Sequence, residues 1–337
     1  MMKPVRIAQI GTGHDHASAT LASLLRQPDV FDVVGIAEIN PDRMDALNRR
    51  PFADVPHYSV DELLAMDGLE AVTVETDEEL STDAAQRFAD RGVAVHLDKP
   101  GTEDTASFNR LADTLEAKGL AFQMGYMYRY NPLVQRFLAE VKEGKFGDVY
   151  AVEAQMSVHH PDGKRAWLGK YKGGMMYFLG CHLIDLVLQI KGEPDEVIPL
   201  NAATGIAGVD AEDYGFAVLK YADGASFVKT CAHEINGFAR RQLVICGSKG
   251  TVELKPFEEH MDALPGEMQH TLAALTYEST EKNPWRGNAE ALDSGPFNRY
   301  DAMMRDFARF VRGESANPYT YAYEKQLHRL LLRCCGM

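Results

Sequence analysis

The sequence predicts an α/β chain in two parts: a doubly wound parallel sheet, then an α+β domain with a large, mostly antiparallel open sheet. Three observations predict it. Over about the first 125 residues, short β-branched runs alternate with longer helical patterns. A glycine turn, "IGTGHDHA", directly follows the first of those runs and opens a helical pattern. Beyond Asn131 the rhythm changes to alternating strands joined by hairpin signals. At 337 residues the chain is longer than one core usually organises, which agrees with two domains.

The elements follow in order. "VRIAQI" (5–10), "DVVGIAE" (32–38), "EAVTVET" (70–76), "VAVHLD" (93–98) and "LAFQMGY" (120–126) read as buried parallel strands. Between them, residues 17–26, 41–48, 82–91 and 105–118 read as helices. Asn40 before Pro41, and Ser81 before Thr82, supply start signals. The first domain therefore runs over 1–125 and the second over 126–337, with the last helix free to pack back on the first. In the second part, residues 132–143 read as a helix and 149–157 as a strand. The apolar stretch "GMMYFLGCHLIDLVLQIKG" reads as one further helix. "YADG" (221–224) and "GSKG" (247–250) are hairpin turns. Residues 258–300, punctuated by Pro, Gly and Asn, read as a long excursion, and helices at 300–312 and 323–334 close the chain.

Composition excludes several function classes. With 45% hydrophobic and 25% charged residues the chain is an ordinary globular protein. A net charge of −14 argues against a nucleic-acid or anionic-membrane surface. No apolar run approaches the roughly 20 residues of a membrane helix, and the first residues lack a signal-peptide core. Five cysteines with no C-x-x-C pair suit reduced thiols in a cytoplasm. The expectation is a cytoplasmic protein with a small-molecule partner.

The glycine turn points to a nucleotide. Gly11 permits the tight turn and Gly13 the close approach of a pyrophosphate, with helix N–H groups facing the anion. The third glycine of a G-x-G-x-x-G loop is replaced by His16, which alters helix–strand packing rather than phosphate contact. Glu38 ends the second strand, where an acid accepts from an adenosine ribose. It favours NAD over NADP, with Arg43 the basic residue nearest to it. His14 and His16 line the cofactor or start the helix; with no further ligand set in the sequence, no metal is expected.

Three further motifs carry a resemblance. "VHLDKPG" resembles the E-K-P motif of the glucose–fructose oxidoreductase, inositol dehydrogenase and rhizopine-catabolism (Gfo/Idh/MocA) family. "GYMYRYNP" (125–132) is similar to that family's link between domains, and "GGMMYFLGCHLIDL" to its G-G-G-x-x-x-D-x-G-x-H-x-x-D helix. The resemblance implies a Rossmann domain followed by a substrate and oligomerisation domain. It also implies NAD(P)-dependent oxidation of a sugar, inositol or polyol hydroxyl, or the reverse, by a homodimer or homotetramer built through the C-terminal sheet. Carried over by position, Lys99 and His182 are the catalytic pair, with Asp98 where glutamate is usual. Cofactor contacts fall on Gly11, Thr12, Gly13, His14, Glu38, Thr76, Asp98, Lys99 and Arg129. Arg129 and Asn131 match the link, where a role in stabilising the fold is expected, and Asp185 matches the later aspartate.

Two departures stand out. The family's catalytic aspartate falls on Phe178, and Tyr177 beside it points away and does not substitute. In place of a T-P-N loop stands "TDEELS", whose Asp77, Glu78 and Glu79 read as a solvated acidic loop. Tyr128, His159, Trp167, Phe178 and Asp185 are the candidate substrate contacts, with Tyr171 a further ring. Of His159 and His160, adjacent on a strand, at most one faces substrate. Two alternatives stay open: a transient-redox lyase or glycosidase holding NAD tightly, and a non-catalytic ligand sensor.

Overall fold

The computed structural model describes residues 3–261, 268–278 and 289–337. The chain divides into two compact units: residues 1–127 with 300–328, and residues 128–299 with 329–337.

In the first unit the elements are β1 (Val5–Ile10), α1 (Ala17–Leu25), β2 (Phe31–Ala37), α2 (Val60–Ala65), β3 (Ala71–Val74), α3 (Glu78–Arg91), β4 (Ala94–Leu97), α4 (Thr105–Ala117) and β5 (Phe122–Met124). The strands form one parallel sheet in the order β2-β1-β3-β4-β5. Strand order reverses between β1 and β3, and a crevice opens at the carboxyl ends of strands at such a point. Glycine turn and acidic loop both lie there.

Several local outcomes differ from the sequence pattern. Residues Pro41–Asn48 form a 3-10 run rather than an α-helix; only Leu47 in it is buried, too little apolar face to dock a full helix. The short α2 carries a capping box between Ser59 and Glu62 that the pattern did not reveal. Helix α3 begins at Glu78, with Asp77 at its N-cap, earlier than Ser81 suggested. Ser81 instead donates to the Gly101 carbonyl at 2.9 Å.

In the second unit α5 (Pro132–Lys142), β6 (Val149–Ser157) and α6 (Asp162–Trp167) lead to the apolar stretch. That stretch is not one helix. Met176–Gly180 is a π-helical turn, and α7 (Cys181–Lys191) follows it. A Cβ on Gly180 would lie 2.5 Å from the Met176 sulfur, so the glycine leaves room for that side chain inside the turn. Next come β7 (Glu196–Pro199), β8 (Tyr214–Tyr221), β9 (Gly224–Cys231), β10 (Gln242–Gly247) and β11 (Gly250–Leu254). The excursion supplies β12 (Glu259–His260), β13 (Met268–His270), β14 (Leu272–Tyr277), β15 (Glu290–Asp293) and β16 (Phe297–Asn298). The main sheet has eight strands in the order β15-β14-β11-β10-β6-β9-β8-β7. Among the described residues only β6 and β9 pair parallel in it, and the two predicted hairpin turns join β8 to β9 and β10 to β11.

At the chain end the last helix joins the first unit, as the sequence allowed, and the helix before it departs from the expected division. Helix α8 (Asp301–Val311) and most of α9 (Tyr321–Cys334) belong to the first unit, not the second. The reason is α8's apolar face: Met303, Met304 and Phe307 are buried, and Phe307 packs 5.8 Å from the His96 ring. Polar ties fix it: Asp301 accepts from Ser23 and from Arg26, each at 2.7 Å, and Asn317 donates to the Phe122 carbonyl at 2.7 Å. Among the described residues no helix is long and apolar enough to cross a membrane.

Candidate active site

In the first unit the glycine turn is held from two sides. Gly11 has φ +87°, and a Cβ there would lie 2.6 Å from the Thr76 side chain. A Cβ on Gly13 would lie 2.6 Å from the Asp77 amide, so packing against the β3–α3 junction also demands this glycine. The turn thus fits the cradle of a dinucleotide: it is stripped of side chains, follows β1 and enters α1. Glu38 sits just past β2 with its carboxylate turned to that turn. One oxygen accepts from the Thr12 amide at 2.7 Å and the Thr12 hydroxyl at 2.5 Å. The other accepts from the Ile39 and Asn40 amides, each at 2.8 Å. Four protein donors therefore fix this carboxylate in place.

The acidic loop is not solvated, contrary to expectation. Glu78 is buried and only Glu79 of the three is exposed. Asp77 accepts from Arg43 Nε at 3.0 and 2.8 Å and from Asn40 Nδ2 at 2.8 Å. The cause is position: α3 starts at Glu78, so the three acids occupy a packed strand–helix junction rather than a protruding loop.

Behind the turn lies a buried polar array. His14 and His16 both present Nδ1 to one Asp98 oxygen, at 2.8 and 3.0 Å. His14 Nδ1 is also 3.8 Å from Glu75, and His96 Nε2 lies 3.9 Å from it on the other side. His14, His16 and Asp98 have a spacing open to a metal ion, and the separations are those of hydrogen bonds. Burial raises Glu75, and the adjacent Asp98 charge raises it further, so its carboxyl stays protonated well above the usual range. Burial would also raise Asp98, but His14 and His16 outweigh it and hold it ionised. Burial lowers His16 to about 4, leaving it neutral at pH 7. Glu75 and His96 escaped the sequence reading; the signal was an acid and an imidazole inside β-branched runs.

Lys99 follows this array and is 1% exposed, which rules out a solvated turn lysine. Its amide donates to Asp98 Oδ1 at 2.7 Å. A positioned, buried lysine can donate to a reacting oxygen and pass a proton.

The second unit carries the remaining candidates. Arg129 and Asp185 form a two-pronged ion pair at 2.9 and 2.8 Å, each 1% exposed, and Gln189 also donates to Asp185. Their geometry is that of a fold anchor. Asn131 caps α5 and donates to Thr271 at 2.7 Å. Tyr128 is buried edge-on to His182 at 4.8 Å, and its hydroxyl bonds Glu258 at 2.5 Å. The Tyr128 ring is therefore part of the core rather than an open stacking face.

Phe178 belongs to an apolar cluster with Leu168, Met175 and Ala232. Trp167 stands edge-on to it at 5.4 Å, and Lys164 Nζ lies 3.8 Å from the Trp167 ring and 4.5 Å from the Phe178 ring. Tyr177 stacks instead on Tyr171 at 5.3 Å, so the two neighbours do diverge. His160 faces Phe178 at 6.4 Å, whereas His159 is exposed beside His233. Of the histidine pair it is thus His160 that joins the aromatic group. Lys164 was missed too; a lone lysine in a short polar helix gives no signal.

Two family models match. One, described as an oxidoreductase family with an NAD-binding Rossmann fold, covers residues 5–126; the other, the GFO/IDH/MocA C-terminal domain, covers 134–253. The chain belongs to the Gfo/Idh/MocA family. Among its relatives in that family is a D-xylose 1-dehydrogenase (NADP(+)) of Haloferax volcanii, 29% identical over 59% of this chain and 61% of that enzyme, under two thirds of its length. The oxidoreductase YhhX of Escherichia coli is 25% identical over 89% of this chain and 88% of its own. A scyllo-inositol 2-dehydrogenase (NADP(+)) of Bacillus subtilis is 24% identical over 57% and 54%. Among solved structures, a levoglucosan dehydrogenase with NADH and levoglucosan superposes with a TM-score of 0.79 at 15% identity, covering 99% of this chain and 98% of that one. A family fold built from a Rossmann domain and a mostly antiparallel C-terminal sheet is therefore established.

Proposed function

We propose that this family member is an NAD-dependent dehydrogenase acting on a hydroxyl of a sugar, inositol or related polyol. The observation that carries the reading is Lys99, buried just past β4, with its backbone amide donating to an ionised Asp98 that also faces His14 and His16 of the glycine turn. Nicotinamide, when bound, accepts or returns the hydride. Gly11, Thr12 and Gly13 would hold its pyrophosphate, and Glu38 would face the adenosine ribose. Lys99 Nζ donates to the reacting hydroxyl oxygen and takes part in moving its proton. His182 carries the acid/base or orienting role that its helix motif implies. Dehydrogenases for xylose, inositol and levoglucosan among the relatives and neighbours support this substrate class.

The test is a screen of sugars and inositols with NAD, read as NADH absorbance, alongside mass spectrometry of nucleotide carried through purification. Net NADH from a polyol supports the proposal. Turnover without net NADH, on retained NAD, overturns it in favour of transient redox. Ligand binding with no turnover overturns it in favour of a sensor.

A further inference from the structure

Arg43 is five residues past Glu38, on the 3-10 run that leaves β2, and an arginine placed near that strand end is what accommodates a 2′-phosphate on the ribose. Here the guanidinium is committed elsewhere. Its Nε donates to both Asp77 oxygens, at 3.0 and 2.8 Å, and its terminal nitrogen bonds Asp77 as well. Asn40 donates to the same carboxylate at 2.8 Å while its own oxygen caps the 3-10 run. Asp77 is itself pinned: its side chain is 13% exposed, and its Oδ2 lies 2.8 Å from where a Gly13 Cβ would stand. The carboxylate is therefore wedged between the glycine turn and the arginine. Arg43 also lies within the field of Glu38.

We infer that Asp77 is a cofactor-selectivity residue, which holds Arg43 away from a 2′-phosphate. The inference rests on the NAD reading above. A 2′-phosphate carries up to two negative charges and needs a charge-assisted donor. With Arg43 clamped, it would meet the Glu38 carboxylate and a guanidinium already neutralised by Asp77. A diol, with no charge, meets no such penalty. The clamp adds to Glu38 a residue 39 positions later, which no β2-centred rule would pick out.

The test is fluorescence titration of the purified protein with NADH and with NADPH, giving the ratio of the two dissociation constants without turnover. Wild type is expected to bind NADH more tightly. Asp77→Asn, which keeps size and removes charge, should tighten NADPH by about tenfold and leave NADH within about threefold. Adding Arg43→Ala to Asp77→Asn should abolish that gain. Arg43→Ala alone should leave NADPH affinity within about threefold of wild type, because the clamped arginine does not serve it. An unchanged ratio in Asp77→Asn, with wild type still preferring NADH, overturns this inference and spares the NAD reading. A selective loss of NADPH binding in Arg43→Ala alone overturns it too, and stands even if Asp77→Asn fails to fold. Wild type preferring NADPH overturns the NAD reading itself.

Discussion

Glu75 in the first unit and Glu258 in the second are both enclosed carboxylic acids, and their surroundings push them in opposite directions. Glu75 lies between His14 and His96, beside Thr20 and the ionised Asp98; burial and that like charge raise it. Glu258 is just as buried, which alone would raise it too, but Arg299 at 2.8 Å and Arg241 outweigh burial and lower it. Enclosure alone pushes both carboxyls up; the paired arginines are what reverse the sign at Glu258. The difference also separates roles. The first region keeps a proton in reserve beside the glycine turn and Lys99. The second spends its charges on paired arginines and holds the fold.

The hardest blow to this division would come from Lys99. Lys99→Ala should lower turnover by about 10²–10⁴-fold while NADH affinity stays near wild type. Turnover within a few-fold of wild type would remove the chemistry assigned to the first region. Conversely, Asp185→Ala should cost about 3–5 kcal/mol, because it strands the buried Arg129. Calorimetry should show a fall in Tm on the order of 10 °C. A stable Asp185→Ala protein with selectively weakened nucleotide binding would instead move Arg129 into the cofactor site.

Phe178→Asp sharpens the comparison further. A carboxylate placed among Leu168, Met175 and Ala232 loses water, and the Lys164 ammonium near the ring offsets only part of a net cost of about 1–3 kcal/mol. Lower activity on the protein's own substrate and a lower Tm are expected. New or higher polyol dehydrogenase activity would mean that the aromatic group merely fills a decayed site.

The smallest effects are in pH dependence, and they should run in opposite directions. Glu75, raised in the folded state, contributes stability that is present below its unfolded pKa and lost as pH rises through the folded value. Glu75→Gln should therefore match wild type near pH 4 and melt a few degrees higher at pH 8–9. Glu258, lowered in the folded state, contributes stability that is present above its unfolded pKa and lost as pH falls through the folded value. Glu258→Gln should melt lower at pH 7, with the gap closing toward pH 3. Parallel pH profiles for the two variants would collapse the contrast.

How much of this was legible beforehand varies with range along the chain. Strand–helix alternation, the glycine turn, both hairpins and the lysine motif are short patterns, each written within a few residues by periodicity or backbone need. So the class of each domain followed from the sequence, and the family from its motifs. The π turn did not, because apolar spacing marks a buried helical stretch and does not distinguish a wide turn from an α-helical one. Nor did the placement of α8, whose apolar face states that it must be covered but not by which unit. The polar array needed the sheet itself: His16 and Asp98 are 82 residues apart and meet only because β1, β3 and β4 are adjacent in parallel register. Arg43 and Asp77, 34 apart, meet for the same reason at the ends of β2 and β3, on either side of the turn after β1. Sequence determined which groups exist and which segments are buried; tertiary structure decided which charges face one another, because pairing across strands is set by register and strand order rather than by local spacing.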